Sequence, residues 1–223
     1  MVKICTQKAY FIFIKIAYFI SDSGLSSHIM MDTIIAKAKG FLLNPVETFQ
    51  EAGSDEPKKV FTYFAVLVFI YSLFTGFVKQ IALDSTFFNV FPAESGIFIV
   101  FITTFIVTCI AALIFAAWLH LWAYILGGKN GIMQTMKAIL YGSTAHLLLG
   151  WIPFIGMLFS LWALMASILG VRELQNLSTG KAVTAFVIAV AIPLILIVVL
   201  GPFFFVTFMS VTGMNPAPEN LVL

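Results

Sequence analysis

The chain alternates long apolar runs with short polar breaks, and the runs have bilayer length. A helix needs about 20 mostly apolar residues to cross roughly 30 Å of hydrocarbon. Five runs meet or approach this: 60–78, 97–126, 133–151, 153–171 and 183–208. The second, 30 residues long, would measure roughly 45 Å at about 1.5 Å per residue, so it tilts or projects beyond the bilayer. The third is the weakest, interrupted by Lys137, Ser143, Thr144 and His146. The fifth contains Pro193 and Gly201-Pro202, which predict a kink or break because proline removes a helix hydrogen bond. The pattern predicts an all-α integral membrane protein with five transmembrane helices.

The third and fourth runs read as a tight helical hairpin turning at residues 150–156. Pro153 is expected in the first turn of the fourth helix, where its missing N–H costs nothing, and Trp151 at the membrane interface. Ahead of the first run, Met31, Ile34, Ile35, Ala38, Phe41 and Leu42 recur at helical spacing opposite Asp32, Lys37 and Lys39. This is a short amphipathic helix suited to the headgroup plane. Asn44-Pro45-Val46-Glu47 predicts a second one, with Asn44 as cap, Pro45 in the first turn and Glu47 completing a capping box; Gly53 should end it. These helices at 31–59 either pack against the cytoplasmic end of the bundle or recognise a membrane or partner. Residues 1–30 read as a non-core extension. Tyr10–Ile20 is apolar but short and interrupted by Lys15. It resembles a signal-peptide core, yet cleavage there would leave the new N-terminus outside. An upstream start, with Met30 or Met31 the natural beginning, is the preferred reading; an interfacial or disordered extension is the alternative.

Charge turns this pattern into a topology. Only 10% of residues are charged, against about 25% in a typical soluble domain. That excludes a soluble globular enzyme and a disordered segment. A net charge of +2 gives no basic patch for nucleic acid. Of the 22 charged side chains only Lys137 falls within the five runs, near a helix start where lysine can snorkel to headgroups. Lys37, Lys39, Lys58, Lys59, Lys129, Lys137, Arg172 and Lys181 all fall on one side of the five-span arrangement, and Lys79 alone on the other. The positive-inside rule then puts the N-terminal side in the cytoplasm of a cell membrane and the tail 209–223 outside. The 24 phenylalanines suit contact with the lipid bilayer, and Cys5 and Cys109 form no disulfide framework.

Little chemistry lies within the runs. His120, flanked by Trp118 and Trp122, and His146, beside Ser143 and Thr144, are functional candidates because ionisable groups are costly in a bilayer. Antiparallel helices would hold them at different depths, which argues against a shared metal site. Either each ring is neutral and bonded to a neighbouring helix, or they serve a proton relay. No metalloprotease motif is present, and Ser143 and His146 lack an acidic orienter. No catalytic residue, metal or cofactor is therefore expected. Residues 127–131 (GGKNG) follow a membrane helix and read as a helix stop and turn, with Lys129 and Lys137 as candidate headgroup contacts. Small residues recur at Thr104, Thr108, Ala112 and Ala116, and at Gly156, Ser160, Ala163, Ser167 and Gly170. Such faces let helices approach closely in lipid, within the bundle or along a homo-oligomer seam.

The series FLLNPVETF (41–49), LGGKNG (126–131), MKAILYGSTAHLLLGWIPFIG (136–156) and GVRELQNLSTGKAV (170–183), in that order, resembles a prokaryotic member of the Yip domain family. The resemblance covers about residues 40–205. It implies a five-span protein with a cytoplasmic N-terminus and no established chemistry. Eukaryotic relatives bind Rab-type GTPases in vesicle traffic. This chain lacks their long N-terminal region and their Asp-Leu-Tyr-Gly-Pro motif, which makes GTPase binding doubtful here. A non-enzymatic protein acting through protein or lipid partners in membrane organisation is the expected function. The alternative is a small transporter or channel using His120, His146 and a broken fifth helix.

Overall fold

The structure is a computed structural model that describes residues 27–81 and 96–212. The apolar stretch Tyr10–Ile20, most of the loop that follows the first span, and the end of the tail lie outside the described residues. Among the described residues eight helices occur in order: α1 (Ser27–Leu43), α2 (Pro45–Ala52), α3 (Pro57–Ile81), α4 (Ile97–Ile125), α5 (Ile132–Gly142), α6 (Thr144–Leu149), α7 (Ile155–Leu174) and α8 (Thr179–Thr212). Among the described residues there is no strand.

Four of these helices are long and apolar enough to cross a membrane: Pro57–Lys79, Ile97–Ile125, Ile155–Leu174 and Thr179–Phe204. Their outward faces are apolar along their length, from Phe98 to Ile125 on α4 and from Leu194 to Phe204 on α8. A soluble monomer rarely leaves so extensive an apolar surface in water; hydrocarbon is its natural solvent.

The predicted third run, 133–151, differs. It is split at Ser143 into helices of 11 and 6 residues, each too short to cross alone. The cause is local. The Ser143 hydroxyl donates to the Leu140 carbonyl at 2.9 Å, and the Thr144 hydroxyl turns back to the Tyr141 carbonyl. Such bonds compete with the helix ladder. The split segment nevertheless runs through the bundle interior: Thr135 and Lys137 through Gly142 are all buried. One end meets the loops around α7 and α8. The other end leads to Trp151, which stacks on Phe74, far along α3, at 4.6 Å.

Small residues allow this burial. A Cβ on Gly142 would come within 2.7 Å of the Ser167 Cα, and one on Gly170 within 2.6 Å of the Phe49 ring and 3.1 Å of the Ala138 Cα. Gly156, Ala163, Ser167 and Gly170 are buried and Ser160 is half-buried. On α4, Ala116 is fully buried and Ala112 packs against the core; Thr104 and Thr108 are half-buried.

Three expectations need correction. Helix α7 starts at Ile155, so Pro153 precedes the helix and serves the turn. There Phe154 takes φ 63°, and Gly156 is needed because a Cβ would lie 2.3 Å from the Gly150 carbonyl oxygen. Helix α2 starts at Pro45 behind Asn44 as expected, but Asn44 makes no side-chain cap; the Thr48 hydroxyl instead bonds the Asn44 carbonyl at 2.8 Å. Helix α8 runs unbroken through Pro193 and Pro202. Pro193 has no N–H to offer the Ala189 carbonyl four residues back. The Trp118 indole N–H of α4 donates to that carbonyl at 2.9 Å.

This exchange predicts a coupling. Trp118→Phe should lower thermal stability in micelles by about 1–2 kcal/mol, the cost of an unsatisfied buried carbonyl. In a Pro193→Ala background the loss should shrink, because the new N–H takes over. An equal loss in both backgrounds would show that the indole contributes by packing alone.

Candidate functional site

A dense set of polar side chains lies at the end of the bundle that carries α1 and α2. The α2–α3 turn, residues 53–56, organises them. The Asp55 carboxylate accepts from the Lys37 ammonium of α1 and, at 2.6 Å, from the Tyr141 hydroxyl of α5. The Lys37 Nζ also lies 5.0 Å from the centre of the Tyr141 ring. One turn earlier on α5, Lys137 donates to the Gly53 carbonyl at 2.6 Å, joined by the Gln134 amide at 3.2 Å. Burial alone would raise the Asp55 carboxyl. Hydrogen bonds from Lys37 and Tyr141 and the charges of Lys37 and Lys137 outweigh it, holding Asp55 below its usual value.

An aromatic floor lies under this clasp. Phe41 stacks on Tyr141 at 4.8 Å and packs on Phe49 at 4.8 Å, and Tyr63 meets Tyr141 edge-on at 5.1 Å. The Tyr63 and Thr144 hydroxyls pair at 2.9 Å. Ile34, Ala38 and Phe41 of α1 face inward, while Ile35 remains 59% exposed.

Lys137 therefore does not reach headgroups, as the sequence suggested. It is 4% exposed, drawn inward by the Gly53 carbonyl and the nearby Asp55 carboxylate. Lys129, in the α4–α5 turn, is exposed. In that turn Gly127 and Gly131 take φ of +109° and +85°, which suits glycine. The turn is held by Gln175, a residue the sequence did not flag. Its amide is 2% exposed; it accepts from the Asn130 N–H at 3.0 Å and donates to the Gly131 carbonyl and the Thr135 hydroxyl, both at 2.8 Å.

His120 ends this chain of bonds, its Nδ1 lying 2.9 Å from the Thr135 hydroxyl. His146 pairs through Nδ1 with the Ser160 hydroxyl at 2.9 Å, and Ser160 donates onward to the Gly156 carbonyl at 2.8 Å. Each ring thus binds a hydroxyl on a neighbouring helix, and the two belong to separate networks. Ser143 bonds Leu140 rather than His146. Among the described residues no group of three or more His, Cys, Asp or Glu is placed to hold a metal. Of the features behind the transport reading, the fifth apolar run forms one continuous helix, and His120 and His146 bond separate hydroxyls rather than sharing one network.

Beside the clasp opens a cavity of about 390 Å³. Helix α1 lines it with Thr33, Ile34 and Lys37, the turn with Asp55 and Glu56, α3 with Lys58, Lys59, Thr62 and Tyr63, and α5 with Tyr141. Three ammonium groups thus face two carboxylates, one of them already engaged by Lys37. The paired lysines at the start of the first run were the available sequence signal.

The Yip1 domain profile matches residues 39–201, which is 163 of the 223 residues. The chain belongs to the Yip1 domain family. No curated protein and no solved structure matches it. The matched Yip1 domain includes Asp55, Lys137, Tyr141 and Gln175 and all of α2 to α7, while Lys37 lies just ahead of it. The Yip1 family is not known as a family of enzymes, and the chain is an integral membrane protein.

The clasp predicts acid sensitivity. A carboxyl held below its unfolded value adds stability that is complete above that value, about 4 for aspartate, and is lost as pH falls through the lower folded value. Thermal stability in micelles should therefore decline below about pH 4. Asp55→Asn should be less stable at pH 7 by about 1–3 kcal/mol, with part of the acid slope removed. An unchanged slope would assign acid sensitivity to other carboxylates.

Proposed function

We propose that this Yip1 domain protein is a non-catalytic, five-span protein of the cell membrane that acts through protein or lipid partners at its cytoplasmic face. The observation that carries the reading is the concentration of ordered polar chemistry at one end of the bundle. Lys37, Asp55, Lys58 and Lys59 border an open cavity there, whereas His120 and His146 are each engaged by a neighbouring helix. A protein organised in this way recognises something at that face.

The five crossings count α5 and α6 together as the third. Their path supports this: Thr135 bonds Gln175 beside the α7–α8 connection, while Trp151, just beyond α6, meets Phe74. The cytoplasmic orientation rests on the eight-to-one lysine and arginine bias.

In a background lacking Cys5 and Cys109, Lys129→Cys should react with an impermeant thiol reagent only from the cytoplasmic side, and Phe154→Cys only from outside. Same-side labelling would overturn the five-span reading. A photo-crosslinker placed at Glu51, on the exposed side of α2, should yield reproducible protein or lipid adducts in native membranes. One at Leu164, on the exposed side of α7, should give only bulk lipid. Identical adduct patterns would remove the case for recognition at this face.

A further inference from the structure

We infer that the outer ring nitrogen of His120, Nε2, carries a proton and donates it to the acyl ester of a membrane phospholipid, beside Tyr124 on α4. The inference rests on α4 crossing the membrane and not on recognition at the α1–α2 end.

The backbone of the α4–α5 turn fixes the direction of every bond that leads to His120. The Asn130 N–H can only donate, so it meets the amide oxygen of Gln175, at 3.0 Å. The Gln175 amide nitrogen then faces the Gly131 carbonyl, which can only accept, and the Thr135 hydroxyl, both at 2.8 Å. The Thr135 oxygen is thus an acceptor from Gln175, and its own hydrogen must go elsewhere. Thr135 is fully buried, and among the described residues its remaining hydrogen-bond partner is the His120 Nδ1, at 2.9 Å. A buried hydroxyl without an acceptor is costly, so Nδ1 receives that hydrogen. An imidazole that accepts at one nitrogen carries its proton on the other. Nε2 is therefore a donor.

That donor meets no acceptor among the described residues, where the hydrogen bond of the ring is the one at Nδ1. Nor is it enclosed. Nε2 is not one of the buried unpaired polar atoms of the bundle, and the half-buried ring stands beside the exposed side chains of Leu121 and Tyr124. An N–H at the surface of a membrane helix needs an acceptor from its surroundings, because hydrocarbon offers none.

Depth identifies the acceptor. Helix α4 has 29 residues, which at about 1.5 Å each span roughly 44 Å, matching the roughly 40–45 Å of a bilayer with its headgroups. His120 lies five positions before the last residue, Ile125, or roughly 7.5 Å of rise. The headgroup layers occupy roughly 5–8 Å on each side of the hydrocarbon. His120 thus stands at the hydrocarbon boundary, where ester groups join acyl chains to glycerol. An ester carbonyl is a neutral group that accepts and cannot donate, which suits a neutral N–H. The Tyr124 ring lies 6.3 Å from the imidazole and one turn nearer the headgroups, so its hydroxyl offers the same lipid a second donor.

Solid-state NMR of the full chain, with nitrogen-labelled histidine in bilayers of phosphatidylcholine labelled at the ester carbonyl carbon, tests the assignment. His120→Gln identifies the His120 signals; should that variant not fold, His28→Gln and His146→Gln identify them by elimination. The unvaried chain should show an unprotonated Nδ1, a protonated Nε2, and magnetisation transfer from the Nε2 proton to the lipid carbonyl. Ether-linked phosphatidylcholine, which lacks that carbonyl, should shift the Nε2 proton signal toward a weaker hydrogen bond. Thr135→Val removes the hydroxyl that sets the tautomer; it should place part of the proton on Nδ1 and weaken the carbonyl transfer severalfold. A proton on Nδ1 in the unvaried chain would overturn the inference. So would transfer to water alone, equal in ester-linked and ether-linked bilayers. Loss of the lipid contact with Glu51 adducts intact would remove this site and leave the cytoplasmic-face reading standing.

Discussion

The burial of α5 against α7 is the constraint on which the bundle depends. Lipid tails are as apolar as leucine, so helices in a membrane associate through close packing and hydrogen bonds rather than through escape from water. Gly142 against Ser167, and Gly170 against Ala138 and Phe49, bring the backbones near enough for that packing. Once α5 lies inside, each of its polar side chains must find a partner, because burying an unpaired polar group is costly. The partners it finds define the rest of the molecule. Lys137 and Tyr141 fix the α2–α3 turn, Thr135 fixes Gln175 and His120, and neighbouring Thr144 fixes Tyr63 of α3. The order at one end of the protein is therefore a result of the burial at its centre.

The candidate site inherits its rigidity from this arrangement. Lys37 is held by Asp55 and by Tyr141, which itself stands on Phe41 and Tyr63. One wall of the cavity is thus anchored to the core, whereas Lys59 on the opposite wall is exposed.

The sequence was most informative where the physics is local. Apolar runs marked the membrane helices, because crossing hydrocarbon demands an uninterrupted length. Ile34, Ala38 and Phe41 marked the buried side of α1, Pro45 the start of α2, and the glycines after Leu126 the turn beyond α4. Long-range partners were hidden. Nothing near Asp55 in the chain shows that it meets Tyr141, 86 residues away, and Gln175 looks like an ordinary loop amide until Asn130 and Thr135 are folded against it. Lys137 misled for the same reason: snorkelling is what an isolated lysine does, but this one lies beside a carbonyl and a carboxylate. The split at Ser143 falls between these extremes. Serine and threonine hydroxyls in succession were visible, but whether they bond the backbone or a neighbour depends on packing.

Pro193 has a further consequence for specificity. A helix made wholly of lipid-compatible residues can rotate about its axis with little penalty, since every face is acceptable to hydrocarbon. By freeing the Ala189 carbonyl, Pro193 gives this level of α8 an acceptor that points in a single direction, and Trp118 meets it from α4. The imino acid that would ordinarily disrupt a helix thus works as an angular key, selecting one rotational setting of α8 from many otherwise similar ones.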